Sequence, residues 1–365
     1  MYFKQLDSLR FFAVLLVLFS HWLSGFPIVE KLRLGAIGVE IFFVISGFLI
    51  SLQLYQYKKF IEARQTTFSK AIFVFYIRRV LRIFPLYYFI LILATSINSG
   101  EIRTAAVWNF GYASNFYFIK VQHWTSTFSH FWSLSVEEHF YLAWPFLILL
   151  AGRSLLPYLF LVLCSLSVYF RYTSLVNNPN FFVVYAHTFS CIDLFVIGGA
   201  LAFLYEYKSD LFQYVFNNHQ IRFLALFLYA ALYAVWYFRP DLVTFNWVFQ
   251  RFLQGLVFAS VIGFLVMGIR GRPGAILSHK LPVHLGKLSY GIYLIHNFVP
   301  GVLLPVRALD LPVFLEFSIY LIATILGSEV LYRFIETPVR NLNRHFKLTV
   351  EEQQTRVLER GAAPS

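Results

Sequence analysis

The chain has 365 residues, 59% of them hydrophobic and only 13% charged, with a mean hydropathy of +0.65. That composition excludes an ordinary soluble globular protein and makes it a polytopic membrane protein. A formal net charge of +12 raises nucleic acid as a partner, but the basic residues lie in short stretches between apolar runs and form no compact basic domain. The positive-inside rule accounts for them, and no nucleic-acid partner is expected. Cys164 and Cys191 both fall inside apolar runs, which indicates neither a disulfide framework nor a metal centre.

The first apolar run, 9–27, follows a basic start as in a signal peptide, yet no small-residue cleavage site comes after it. It is read as the first span. The stretch DSLRFFAVLLVLFSH carries Asp7, Arg10 and His21 into that span. Arg10 and His21 are about three helical turns, roughly 16 Å, apart on one helical face, and Asp7 joins that face. Ionisable groups in a lipid-spanning helix are costly and line cavities, so this face is a candidate site. The competing reading is an arginine that snorkels to the membrane surface and a histidine bonded inside the bundle.

Further runs long enough for a bilayer lie at 36–57, 83–98, 136–151, 155–172, 186–206, 221–238, 247–269, 288–306 and 313–335. The expectation is an all-α fold of about ten transmembrane helices. An even count puts both termini on one side; placing them in the cytoplasm gives that side roughly three times the Lys and Arg of the other. The apolar stretch 104–119 is broken by Asn109, Gly111, Ser114 and Asn115 and reads as re-entrant or interfacial. Residues 1–345 then form one transmembrane domain and 346–365 a polar cytoplasmic tail. There is no long hydrophilic stretch to form an appended soluble domain, and no internal repeat of the kind that builds many transporters.

Between the second and third spans a basic loop is expected from Lys58 to Arg82. Its end, FYIRRVLRIFPLYY, sets Arg79 and Arg82 on one helical face with Arg78 close by. Guanidinium forks match phosphate oxygens, so the cluster suits a polyanion; contact with anionic lipid is the alternative. The second span carries Glu40, for which His21 is the partner on offer, and the small residues Ser46 and Gly47, which favour close helix packing. In HFWSLSVEEHFYLAWP, Ser133 or Ser135 is positioned to cap a helix whose first turn holds Glu137 and Glu138. A carboxylate that orients a histidine is the usual arrangement for general-base catalysis, so the pair is also a candidate partner for His21. His187 and Asp193 lie in a later span. Tyr290, Tyr293 and His296 recur every three residues and form a stripe consistent with internal packing. Near the end, Glu336 precedes Pro338, which is expected to stop the last helix.

Six of these stretches together resemble the membrane-bound acyltransferase-3 family of bacterial O-acyltransferases. They are Arg10 and His21 in the first helix, GVEIFFVISGFLI, Arg79-x-x-Arg82 before FPLYY, WSLSVEEHFYLAWP, SYGIYLIH and IETP, in order to about residue 340. Glu40 stands where the family usually has Asp, and His139 where Gln is common. The resemblance implies an enzyme of the bacterial cytoplasmic membrane that moves an acyl group, most commonly acetyl, from acyl-CoA to a glycan or lipid-linked glycan hydroxyl. O-antigen, capsule and exopolysaccharide are among the acceptors it brings in. It implies His21 as general base with Arg10, assistance from Glu137 or Glu138, and Arg78, Arg79 and Arg82 at the CoA phosphates. Trp132, Ser133, Tyr141, Tyr290, Tyr293, His296, Glu336, Asp7 and Glu40 form its supporting set, with no metal and no bound cofactor. Some members carry an additional esterase-like domain, and none is expected within these 365 residues. A glycan transporter or flippase, and a structural membrane subunit, are the rival classes; acyl transfer by purified protein separates the first from an enzyme.

Overall fold

A computed structural model describes residues 2–97, 100–177, 179–307, 309–346 and 348. Apart from Phe346 and Leu348, the expected tail therefore lies outside the described residues. In hydrocarbon a backbone must satisfy its own hydrogen bonds, and the described elements are all helices and turns. The long ones are α1 (Lys4–Trp22), α2 (Leu34–Glu62), α3 (Phe68–Ile97), α4 (Phe131–Leu150), α5 (Leu156–Asn177), α6 (Thr188–Tyr207), α7 (His219–Phe238) and α8 (Gln250–Met267). After them come the short α9 (Ser289–Ile295) and α10 (Val313–Leu331).

Among the described residues, seven helices are long and apolar enough to cross a membrane. The expected ten exceed that number for identifiable reasons. The helices α1 and α4, of 19 and 20 residues, carry the ionisable groups of the candidate site. The run 288–306 is broken into Ser289–Ile295, Val299–Val302 and Leu304–Arg307. The stretch 104–119, read as re-entrant or interfacial and not among the ten, holds only parts of the short helices Glu101–Thr104, Ala106–Phe110 and Ser114–Val121, none long enough to span. Its polar breaks are used inside the bundle: Asn109, Ser114 and Asn115 are buried, and Ser114 N–H donates to Ser135 Oγ at 3.1 Å.

The core is the packing of α2 against α6 and α1. A Cβ on Gly47 would sit 2.1 Å from the Phe195 carbonyl oxygen, and one on Gly198 would sit 2.2 Å from that of Val44. Only glycine lets these two backbones approach so closely. Gly38 does the same for α1, where a Cβ would lie 2.4 Å from the Ala13 carbonyl oxygen. A buried pair, Arg171 Nη2 to Asp193 Oδ2 at 2.6 Å, ties α5 to α6. Arg171 thus serves the interior and not the charge asymmetry of the loops.

Three local expectations are corrected. The basic loop shrinks to five residues, because α2 runs to Glu62 and α3 begins at Phe68. Lys58 is buried and donates to the carbonyls of Ile148, Leu149 and Ala151, capping the end of α4 with a cation. Neither Ser133 nor Ser135 is a cap, since α4 already begins at Phe131; their hydroxyls donate back to the carbonyls of His130 and Phe131. Glu137 and Glu138 therefore sit beyond the first turn. Finally, Pro338 does not stop the last helix. A π-helical turn, Tyr332–Glu336, carries α10 into Thr337–Leu342, and Pro338 falls in the first turn of that segment, where its missing N–H is tolerated.

Candidate active site

Two cavities lie at opposite ends of the same helices. The first, of about 670 Å³, is basic: Arg10, Arg78, Arg79, Arg82, Lys287 and Arg340 line it, with Asp7, Glu137, Glu138 and Glu336 also on its wall. The second, of about 2080 Å³, contains His21 and is faced with aromatic rings, among them Trp22, Trp124, Trp132, Tyr185, Trp236 and Trp247. Helices α1, α2, α3, α4 and α9 each divide between them. α1 gives Arg10 to the basic cavity and His21 to the aromatic one; α3 gives Arg82 to the first and Phe89 to the second. The changeover falls at Val39 and Tyr293, which line both cavities.

In the basic cavity the polar groups are held by neighbours. Arg10 Nη1 lies 3.2 Å from Asp7 Oδ1, an i,i+3 pair on α1. Arg79 Nη2 donates to Gln53 Oε1 at 3.1 Å, while Arg78 donates to the Tyr57 hydroxyl at 2.7 Å and to the Phe346 carbonyl at 2.8 Å. Arg82 lies at the exposed mouth. Ser46 Oγ and Tyr141 OH both donate to Glu137 Oε1. Ser46 thus serves the cavity, and Gly47 beside it serves the helix packing. Tyr290 donates to the Ile83 carbonyl at 2.9 Å and joins α9 to α3. Neither Gln53 nor Tyr57 stands out in the sequence, since both lie in the polar end of a helix that reads as a loop boundary.

The aromatic cavity is organised by three histidines. The His21 ring contacts that of His296 at 5.0 Å between centroids, and His296 contacts His130 at 4.7 Å. His130 is fixed at both nitrogens: Nε2–H donates to the Leu294 carbonyl at 3.1 Å and Nδ1 accepts from Asn297 Nδ2 at 3.1 Å. His296 Nδ1–H donates to the Tyr293 carbonyl at 2.6 Å, which leaves Nε2 as a buried acceptor without a partner among the described residues. His21 makes no side-chain hydrogen bond there. Tyr293 closes the boundary, with its hydroxyl 2.5 Å from Ser133 Oγ and 3.2 Å from the His130 carbonyl. Trp132 borders the aromatic cavity, and Ser133, the next residue, borders the basic one.

Two pairings expected from the sequence are replaced. Glu40 is buried and meets Arg251 Nε at 3.4 Å; it does not partner His21. Glu137 and Glu138 line the basic cavity while His21 lines the aromatic one, so the carboxylates and the imidazole are divided between the two compartments. His130 is the residue that sequence reasoning passed over; its only signal is a histidine one residue before an apolar helix. Glu336 lines the basic cavity near α9, where its Oε1 would lie 3.5 Å from a Cβ on Gly291. His187 caps α6 by accepting from Phe189 N–H, and Asp193 is occupied by Arg171. Among the described residues no group of His, Cys, Asp and Glu is arranged to hold a metal ion.

Comparison with known proteins places these features in context. Residues 3–333 match the acyltransferase-3 family model, described as an acyltransferase domain. YrhL of Bacillus subtilis, provisionally named a peptidoglycan O-acetyltransferase, is 30% identical over 371 residues, covering 93% of this chain and 55% of its own. OatA of Listeria monocytogenes, named a peptidoglycan O-acetyltransferase, is 29% identical over 380 residues, covering 93% and 56%. OatA of Staphylococcus aureus, named an O-acetyltransferase, is 28% identical over 379 residues, covering 93% and 57%. The chain spans about half the length of these curated relatives. No solved structure matches it.

Proposed function

The chain belongs to the acyltransferase-3 family, and from that premise we propose that it is an acyl-CoA-dependent O-acyltransferase acting on an extracytoplasmic glycan. The observation that carries this reading is the pair of cavities meeting at Val39 and Tyr293. CoA is an anionic nucleotide, and the basic cavity offers it guanidinium groups from α1 and α3 that neighbouring side chains already orient. The positive-inside argument puts this end in the cytoplasm, where acyl-CoA resides. The thioester then extends past Ser46 and Glu137 toward the boundary at Tyr293.

On the other side, His21 has the chemistry of a general base facing the acceptor. It takes the proton of the acceptor hydroxyl as the oxygen attacks the thioester carbonyl. The carbon–sulfur bond breaks, the ester forms, and the imidazolium returns its proton to the departing CoA thiolate. Among the described residues no carboxylate pairs with His21 in the way the sequence suggests; its ring packs instead on that of His296, whose Nε2 has no partner there. Acetyl is the acyl group we propose. Peptidoglycan is the first acceptor to assay because two relatives are named for it, followed by capsule, exopolysaccharide and O-antigen.

The test is acyl transfer by purified protein in proteoliposomes, given labelled acetyl-CoA inside and glycan outside, together with mass spectrometry of surface glycans from cells with and without the protein. Transfer that is lost in His21→Ala, with membrane insertion intact, supports the reading. Near wild-type transfer by that variant removes His21 from the mechanism, and no transfer by the wild type to any glycan removes the enzyme.

A further inference from the structure

Exposed apolar residues on a chain like this one are ordinary bilayer contacts and identify nothing by themselves. One set differs because it forms the wall of the cavity that holds His21. On α3 the lining residues include Phe89, Leu93 and Ile97, which are 46%, 46% and 76% exposed; on α10 they include Val330, at 54%. Small residues, Ala94 and Ala323, lie between them on the two walls. The two helices meet chiefly at one end, where α3 packs on Tyr332–Glu336 and Thr337–Leu342 and Tyr290 bonds the Ile83 carbonyl. Beyond that junction residues of both helices line the same cavity and leave a cleft whose wall runs from the exposed Leu93 to the aromatic interior.

That interior also contains a cation. Arg33 faces the cavity with its guanidinium 4.1 Å from the ring centroid of Trp236 and 5.5 Å from that of Trp247. It makes no side-chain hydrogen bond or ion pair among the described residues, although Glu30 also lines the cavity and Glu40 lies in the neighbouring helix. An apolar cleft, an arginine held between aromatic faces and a histidine at the depth of one continuous space match an amphiphile. The hydrocarbon chain stays in the bilayer, an anionic linkage meets Arg33, and the sugar reaches His21. At about 2080 Å³ the space exceeds the roughly 300–1,000 Å³ of a pocket for one small molecule.

We propose that the cleft between α3 and α10 is a lateral portal for a glycan carried on a phosphate-linked lipid, which enters from the bilayer and not from the aqueous phase. This rests on the acceptor role given above to the aromatic cavity. The experiment uses the full chain in phosphatidylglycerol nanodiscs with a diazirine-tagged polyprenyl diphosphate disaccharide, and in parallel with diazirine-tagged phosphatidylglycerol. The portal predicts prenyl-probe adducts concentrated in 89–97 and 323–331, reduced at least tenfold in Ala94→Trp and Ala323→Trp, which fill the cleft from opposite walls. Adducts spread over all lipid-facing helices, or equal labelling of the cleft by both probes, would show ordinary bilayer lipid and overturn the portal.

In cells, each tryptophan variant that retains wild-type acyl-CoA affinity should lose glycan acylation at least tenfold; unchanged acylation also overturns it. The two readings fail separately. Wild-type protein that consumes no acyl-CoA and acylates no glycan refutes the enzyme whatever the probe labels, whereas acylation that is insensitive to both plugs refutes only the portal.

Discussion

The two cavities hold their functional groups in opposite ways. In the basic one, the arginines are tethered: Arg10 to Asp7, Arg79 to Gln53, Arg78 to Tyr57. In the aromatic one, His130 is fixed at both nitrogens, while the His21 side chain packs its ring on His296 and makes no hydrogen bond among the described residues. A site that captures a large charged donor gains from preorganised cations, since less side-chain freedom is lost on binding. A base that must take a proton needs an unoccupied lone pair. Under the proposed function, the contrast separates donor recognition from chemistry along the helices, with Tyr293 and Val39 lining both cavities between them.

Breaking one side at a time tests this division. The largest effect belongs to His21→Ala, expected to lower transfer by about 10²–10⁴-fold while calorimetric acyl-CoA affinity stays unchanged. A fall in donor affinity would mean that the two compartments are not independent. Next comes Glu40→Ala, which leaves buried Arg251 without its carboxylate and with only the Tyr185 and Ser190 carbonyls as oxygen acceptors among the described residues. Losing one partner of a buried pair costs about 3–5 kcal/mol, read as lower thermal stability in detergent. The surviving folded fraction should retain its transfer rate, because Glu40 serves Arg251 and not His21.

Arg79→Ala sharpens the donor side. Removing one charge-assisted contact of about 1.5–3 kcal/mol should weaken acyl-CoA binding by roughly 10–100-fold, with the rate at saturating donor preserved. Unchanged affinity would remove the basic cavity as the donor site. The smallest change is expected from Arg340→Ala, at the exposed rim, where the guanidinium donates to the Tyr332 hydroxyl at 3.0 Å. Exposed pairs contribute at most about 1 kcal/mol, so donor affinity should move by less than about fivefold.

Much of this protein is legible in the chain. Continuous apolar runs locate the membrane helices, and the 3.6-residue period puts Asp7, Arg10 and His21 on one face and Arg79 beside Arg82. Hydropathy and helical spacing are local properties, and local properties survive without knowledge of the rest of the fold. The limits are equally physical. A run of polar and basic residues between Lys58 and Arg82 looks like a loop, but Lys58 is drawn inside by the free carbonyls at the end of α4, and the helices on either side extend.

Which groups meet across helices was decided only by packing. Glu40 finds Arg251 from the far half of the chain, Tyr293 meets Ser133, and His296 stands between His21 and His130. None of these follows from spacing, because each depends on how one helix is rotated and set in depth against another. Close backbone contacts such as Gly47 on Phe195 fix that setting. By itself, the sequence determined that charged groups must be hidden in membrane helices and which helix carries each. The tertiary structure divided them into a basic cavity and an aromatic one, since only the assembled bundle has an interior for them to share.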